Sequence, residues 1–390
     1  MQSTTTNAKG ALAPILLFLV CSGFFGSALA IPYTFTKIVD SPFRAASMNN
    51  LGEVAYLTGT EIFLSDGTTA VSLSGLAPSI IPPLPPPDGQ GIVLNDAGSV
   101  AYHCISDQSC RVNRDGTVSG GIPSSLSSPS MNSSGEVPYI AAGELRVANP
   151  TSGTRRIYGQ QEALQNGLSP GGIPDAPAIN DSGEVLFSAA GIGGHAYLVS
   201  DGVNSRQVGP NFDLAPNPFE AYGLNNLGTV IGRQFIAGTF DSLLLFYSNG
   251  SSAVVVDSSQ FASFFPFGLN DLDELVFYGR EAGLGGASGI YKGSKDGFLR
   301  VIGEGDDLLG LPILSINLIA RDALNNKGQI AFAATTSEGA AIYRADPRKE
   351  NVIPEPTTLV LSFIGLAVIL SGRERIKGNP QRQQRLLSSR

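Results

Sequence analysis

The 390-residue chain has no tryptophan, two histidines, three cysteines and only 15% charged residues. So little charge, beside 47 glycines and 25 prolines, argues against long solvent-facing helices and for many short strands joined by tight turns. His103 and His195 lie about 90 residues apart, each on a predicted strand or its edge. They read as surface or packing residues rather than general bases. No Gly-x-Ser-x-Gly elbow, phosphate-cradling loop or His-Glu-x-x-His zinc motif occurs. Carboxylates gather at Asp271, Asp273 and Glu274, and again at Glu304, Asp306 and Asp307. The second group lacks the spacing of a calcium loop and reads as a solvated turn.

The two ends carry addresses. Lys9, the apolar run Ala11 to Phe25 and the small-x-small sequence Ala28-Leu29-Ala30 make residues 1–30 a signal peptide, cut before Ile31. Cys21 follows Val20 rather than a small residue, which argues against a lipid anchor. At the other end Pro354-Glu355-Pro356 leads into an uncharged span, 357–372, and a basic tail, 373–390. Sixteen helical residues rise about 24 Å, slightly short of a ~30 Å hydrocarbon core, and the basic tail would stay on the cytoplasmic side. These three parts, in this order, resemble the PEP-CTERM sorting signal of Gram-negative bacteria. The resemblance implies export, transient anchoring in the inner membrane through 357–372, and processing near Pro354, Glu355 and Pro356 by an exosortase-type enzyme. A plain single-span anchor is the alternative. Without the leader and the residues after Gly372, 18 basic and 32 acidic residues remain, about 14 units negative, which argues against nucleic acid as a partner.

Between the ends, 31–350, one phrase returns seven times. Asn49, Asn95, Asn132, Asn180, Asn225, Asn270 and Asn325 each open an Asn-x-x-Gly hinge, with Asp273 in place of the sixth glycine. Successive asparagines are 46, 37, 48, 45, 45 and 55 residues apart, the period of a four-stranded unit. An Asx-turn on the asparagine and a positive φ at the glycine suit a tight hairpin, and aspartate tolerates that φ better than most residues. An alternating strand follows each hinge, as in Glu184-Val185-Leu186-Phe187. Further strands end in turns at Asp66-Gly67, Asp115-Gly116, Asp201-Gly202, Asn249-Gly250 and Lys292-Gly293. The seventh unit lacks a fourth strand, whereas residues 33–40 read as a fourth strand with no unit before it. The expected fold is therefore an all-β propeller of seven four-stranded blades, closed by the N-terminal strand. A six-bladed or irregular ring is the alternative, because the 37-residue spacing suggests a truncated blade. Pro138 suggests local irregularity in the third unit.

The array resembles the tandem Asn-x-x-Gly repeat proteins found among PEP-CTERM substrates, and Gly194-His195-Ala196-Tyr197-Leu198 resembles the extracellular HAF repeat. What this implies is a secreted repeat protein. Cys104 and Cys110 sit on consecutive strands and are expected to form a disulfide worth roughly 2 kcal/mol on the chain-entropy estimate. Two free thiols, or a metal pair with His103, are the alternatives. Residues Ile80 to Asp88, with five prolines, read as a stiff exposed connection. The leading functional expectation is a non-enzymatic structural or binding module of the extracellular matrix, with exopolysaccharide as a candidate partner and no cofactor. A propeller enzyme acting on extracellular glycans, with carboxylates in the central channel, is the competing one. On this reading the hinges are punctuation, and function belongs to the variable loops between them.

Overall fold

A computed structural model describes residues 33–40, 45–58, 61–73, 91–104, 108–123, 130–159, 161–162, 168–170, 177–191, 194–212, 219–236, 239–283, 285–317 and 322–348. The leader, Ile80 to Asp88, the Pro354-Glu355-Pro356 motif, the span 357–372 and the basic tail lie outside the described residues. Among those described, no helix is long and apolar enough to cross a membrane.

Seven antiparallel sheets follow one another along the chain. A single strand, β1 (Tyr33–Asp40), precedes the first blade. Blade 1 is β2 (Ala45–Met48), β3 (Val54–Thr58), β4 (Glu61–Ser65) and β5 (Ala70–Ser72). Blade 2 is β6 (Ile92–Leu94), β7 (Val100–Cys104), β8 (Gln108–Val112) and β9 (Val118–Pro123). Blade 3 holds β10 (Val137–Ala141), β11 (Glu144–Asn149) and β12 (Gly153–Tyr158). Blade 4 is built on β15 (Val185–Gly191), β16 (Gly194–Ser200) and β17 (Ser205–Phe212), with β13 (Leu168–Pro170) and β14 (Ala178–Ile179) both paired to β15. Blade 5 is β18 (Phe219–Leu224), β19 (Val230–Ile236), β20 (Thr239–Phe246) and β21 (Ser252–Asp257). Blade 6 is β22 (Phe261–Leu269), β23 (Leu275–Glu281), β24 (Ser288–Ser294) and β25 (Gly297–Gly303). After a small hairpin of β26 (Asp307–Leu308) and β27 (Leu311–Pro312), blade 7 supplies β28 (Ser315–Asn317), β29 (Ile330–Thr336) and β30 (Gly339–Pro347). The fold is a seven-bladed β-propeller.

The seam closes as the strand count requires. β1 pairs antiparallel with β30, Thr34 opposite Asp346 and Thr36 opposite Arg344, so the first strand is the outer strand of the last blade. The edge of β30 is thereby covered. Leading strands of neighbouring blades pack on one another, β2 on β6, β14 on β18 and β18 on β22, which puts them innermost.

Alternation along the strands places apolar side chains between blades, and each of the seven interfaces holds one buried cluster. Blades 6 and 7 enclose the largest, with Ile290, Ile302, Phe332, Tyr343 and Tyr33. Blades 5 and 6 share Leu243, Leu245, Phe261, Phe264, Phe277 and Tyr291. Among the described residues, blades 2 and 3 share the smallest: Val93, Ala101, Met131 and Val137.

Two expectations need correction. The 37-residue spacing does not shorten blade 2, which keeps four strands; in blade 3 three strands fall among the described residues, 124–129 lying outside them, and Pro138 lies in β10, paired with Val147. The expected turn at Lys292-Gly293 is also misplaced. Gly293 continues β24 opposite Phe298, and the chain turns at Lys295-Asp296-Gly297, where Gly297 has φ 126°. Gly293 is small for a packing reason: an added Cβ would lie 2.6 Å from Val255 Cγ1 of the neighbouring blade.

Candidate functional site at the hinge face

The seven hinges, far apart in sequence, meet around the propeller axis. In each, the amide of the fourth residue donates to the asparagine carbonyl and the asparagine N–H donates to the carbonyl of the fifth, as in Gly183 to Asn180 and Asn180 to Glu184. The fourth residue is left-handed throughout, with φ between 72° and 89° at the glycines and 56° at Asp273. This is a type I turn closed by a bulge. The tolerance of aspartate for that conformation accounts for the one exception in the sequence.

The hinge asparagines are 2–5% exposed. Each Oδ1 accepts the backbone N–H four residues on, at 2.8–3.0 Å. Each Nδ2 donates to the asparagine carbonyl of the next blade: Asn49 to Asn95, Asn95 to Asn132, Asn132 to Asn180, Asn180 to Asn225, Asn225 to Asn270, Asn270 to Asn325, and Asn325 back to Asn49, at 2.9–3.2 Å. The circle is complete. The second Nδ2 hydrogen goes to a hinge-end acceptor in most blades, among them Glu53, Glu136, Glu184 and Glu274, and at Asn95 to the Ser133 carbonyl. Asparagine is required because only a short side chain with both an acceptor and a two-hydrogen donor can serve its own turn and its neighbour together.

A second ring lies beside the first. The backbone N–H of Asn50 donates to Asp96 Oδ1, Ser133 to Asp181, Asp181 to Asn226, Asn226 to Asp271, Asp271 to Asn326, and Asn326 to Asn50, at 2.7–2.8 Å. Six of the seven interfaces repeat this bond. At the seventh, between blades 2 and 3, the residue is Ser133, whose side chain is shorter than a carboxylate or amide.

These rings line a cavity of about 130 Å³, walled also by the apolar residue that precedes each asparagine, such as Ile179 and Leu224, and by Asp322. Its three ring carboxylates, Asp96, Asp181 and Asp271, belong to blades 2, 4 and 6, and all accept hydrogen bonds from neighbouring hinges. Leu51, Leu227 and Leu272, at the third hinge position, are 54–64% exposed. Leu227 and Leu272 also border a second cavity of about 710 Å³ with Tyr247 and Lys295, between blades 5 and 6. The face combines polar ring atoms with exposed aliphatic side chains, the pairing that hydroxylated ligands with apolar ring faces call for.

Basic residues fasten the hinges from outside. Arg155, Arg206 and Arg344 donate to the carbonyls of Gly183, Gly228 and Gly52 in the following blade. Arg114 pairs with Glu53 and Lys292 with Glu274. Burial raises the pKa of Glu53 and Glu136, but hydrogen bonds from Arg114 and Asn49 to the first, and from Asn149 and Asn132 to the second, outweigh it and hold both carboxyls below their ordinary value.

The other residues singled out in the sequence are dispersed. His103 is in β7 and His195 in β16, on different blades. Cys110 is disulfide-bonded. It lies opposite Tyr102 in the β7–β8 hairpin, where Cys104 lies opposite Gln108; the Cys104 side chain is outside the described residues. Asp306 accepts from Arg300 and from the Gly303 amide, and Asp307 from the Gly310 amide, which makes that acidic group a hydrogen-bonded turn. Among the described residues, no three histidine, cysteine, aspartate or glutamate side chains are placed to hold a metal ion. Sequence reasoning missed the convergence of the hinges, although the constant asparagine was its signal.

Residues 171–344 match the profile of a family of unknown function, DUF7453. No curated protein sequence matches the chain. Among solved structures the chain is similar to the extracellular domain of a putative one-component system from B. thetaiotaomicron, at 10% identity and TM-score 0.48 over 80% of this chain and 40% of that one. It is also similar to the β-propeller domain of the Trilobed protease from Pyrococcus furiosus, at 10% identity and TM-score 0.41 over 64% of this chain and 81% of that one. A chain of the Mitotic Checkpoint Complex aligns at 11% identity and TM-score 0.45, covering 80% of this chain and 93% of that one.

Proposed function

We propose that this propeller is an exported structural or binding module of the extracellular matrix, and that its hinge face binds polysaccharide. The observation that carries the proposal is the small axial cavity, with room for no more than one unit of a longer chain, lined by the second hinge residues, Asp96, Asp181 and Asp271 among them, on turns that also expose Leu51, Leu227 and Leu272. The partly exposed amides and carboxylates at the second hinge position, such as Asn226, Asp181 and Asp271, can hydrogen-bond sugar hydroxyls, while aliphatic side chains cover sugar ring faces. The residual negative charge of the body favours neutral glycans over polyanions on that face.

Calorimetric titration with neutral oligosaccharides checks the proposal. Saturable binding, weakened at least tenfold by Asp181→Ala with Leu272→Ser, is the expected result; unchanged binding in that variant, or none with any oligosaccharide, contradicts it. The address rests on the two chain ends. Removal of the leader, anchoring through 357–372 and exosortase-type processing near Pro354, Glu355 and Pro356 predict that protein recovered from the medium lacks the tail. An intact mass that retains residues beyond Pro356 contradicts processing.

A second reading, an enzyme acting on extracellular glycans, is favoured by Asp96, Asp181 and Asp271 in the same cavity. Release of reducing ends, lost in Asp181→Asn, would select it over simple binding.

A further inference from the structure

We propose that the interface of blades 2 and 3 holds a receptor for the carboxylate group of a small ligand, with the Arg111 guanidinium as its anchor. This inference is independent of the hinge-face reading.

Strand register makes Arg111, Lys292 and Arg344 equivalent. Each lies opposite the residue six positions after its hinge asparagine: Ala101, Val276 and Ala331. Two of the three cations have a carboxylate of their own blade. Lys292 pairs with Glu274 at 2.8 Å and Arg344 with Asp346 at 2.9 Å. In blade 2 both acid positions are neutral. Ser99 stands where blade 6 has Glu274, and Asn113 stands where blade 7 has Asp346; their side chains bond to each other at 2.9 Å.

Arg111 is nonetheless buried, only 8% exposed. Its Nη1 donates to the Gly135 carbonyl at 3.2 Å, and its Nε has no hydrogen-bond partner among the described residues. Burial pushes its pKa down, and no described carboxylate counters that. A buried cation without a counter-charge is costly, so an arriving anion gains what the protein withholds. Nε lies on the edge, shared with Nη2, by which a guanidinium grips a carboxylate with two parallel hydrogen bonds.

There is space for such a group. Arg111 lines a pocket of about 200 Å³ with Ser119, Val137, Ala148, Asn149 and Pro150. That is below the roughly 300–1,000 Å³ of sites for larger ligands, which limits the occupant to a small acid or one acidic unit of a longer chain. A bulge in the β8–β9 pairing falls at this point, between Ser109 and Arg111, and such irregularities re-aim side chains. Among the described residues this interface also has the smallest apolar cluster, and Ser133 makes no bond of the second ring to Asp96.

Thermal unfolding and calorimetry of the whole protein test the proposal, with sodium acetate, glucuronate and phosphate compared with chloride at constant ionic strength. Acetate and glucuronate are expected to bind saturably and raise the midpoint; a larger gain with glucuronate marks a sugar acid as the source. Arg111→Met is expected to lose at least tenfold in affinity. Ser99→Glu, which restores the Glu274 arrangement, is expected to abolish binding and raise the midpoint without ligand, and it carries the test if Arg111→Met does not fold. No saturable effect of either carboxylate, tighter binding of phosphate, or undiminished binding in Arg111→Met or Ser99→Glu would overturn the proposal.

Discussion

At Asn180, one side chain does two jobs that are separable by substitution. Its Oδ1 holds the Glu184 amide of its own turn, and its Nδ2 holds the Asn225 carbonyl of the next blade. Asn180→Ala leaves both buried groups unpaired, at about 1–3 kcal/mol each. We expect a loss of about 3 kcal/mol in urea unfolding, against under about 1 kcal/mol for Ser182→Ala at the exposed third hinge position. Asp273 offers a complementary comparison. Its φ of 56° strains any branched side chain, while its carboxylate accepts from Asn225. Asp273→Val should therefore cost about 2 kcal/mol from the left-handed backbone and the lost bond, and Asp273→Gly, which relieves the backbone but also loses the bond, about half of that. The Asx half of this chemistry is legible in the sequence, because the bonded groups are two to four residues apart. The inter-blade half is not, because the Asn180 partner is 45 residues away and becomes adjacent only when the ring closes.

The hinge, as an element, ends in an acid at most blades, and those acids tie pH to the joints. Glu53 and Glu136 have pKa values below their unfolded ones, so they bind fewer protons when folded. Their contribution to stability is complete above the unfolded value of about 4.3 and is lost as pH falls through the depressed folded values. The urea midpoint should accordingly drop below about pH 4.3, and Glu53→Gln should make that drop shallower; an equal drop in the variant would contradict the assignment. Among the strands, Asp-Gly and Asn-Gly turns were legible because the glycines there need positive φ, as at Gly67 and Gly202. Gly293 was misread, since a glycine required for close approach to Val255 looks the same in sequence as one required for a turn. Arg111 was equally silent. Its lack of a counter-charge emerges only when register aligns it with Lys292 and Arg344.

For the whole molecule, the consequence of seven-fold repetition is that small, locally ordinary turns become one surface. Residues 33–40 could be assigned to the last blade from sequence because the strand count left one strand over at the start and one missing at the end. The cavity could not be assigned, because no single hinge contains it. Everything proposed for the hinge face depends on closure, and closure joins β1 to β30, from opposite ends of the described chain. The direct test is a cysteine pair, Thr34→Cys with Asp346→Cys, placed at opposed positions of those two strands. Under mild oxidation the monomer should form an intramolecular disulfide between the two introduced thiols, read by peptide mass after digestion; cross-links only between molecules, or none, would contradict the closed seven-bladed ring.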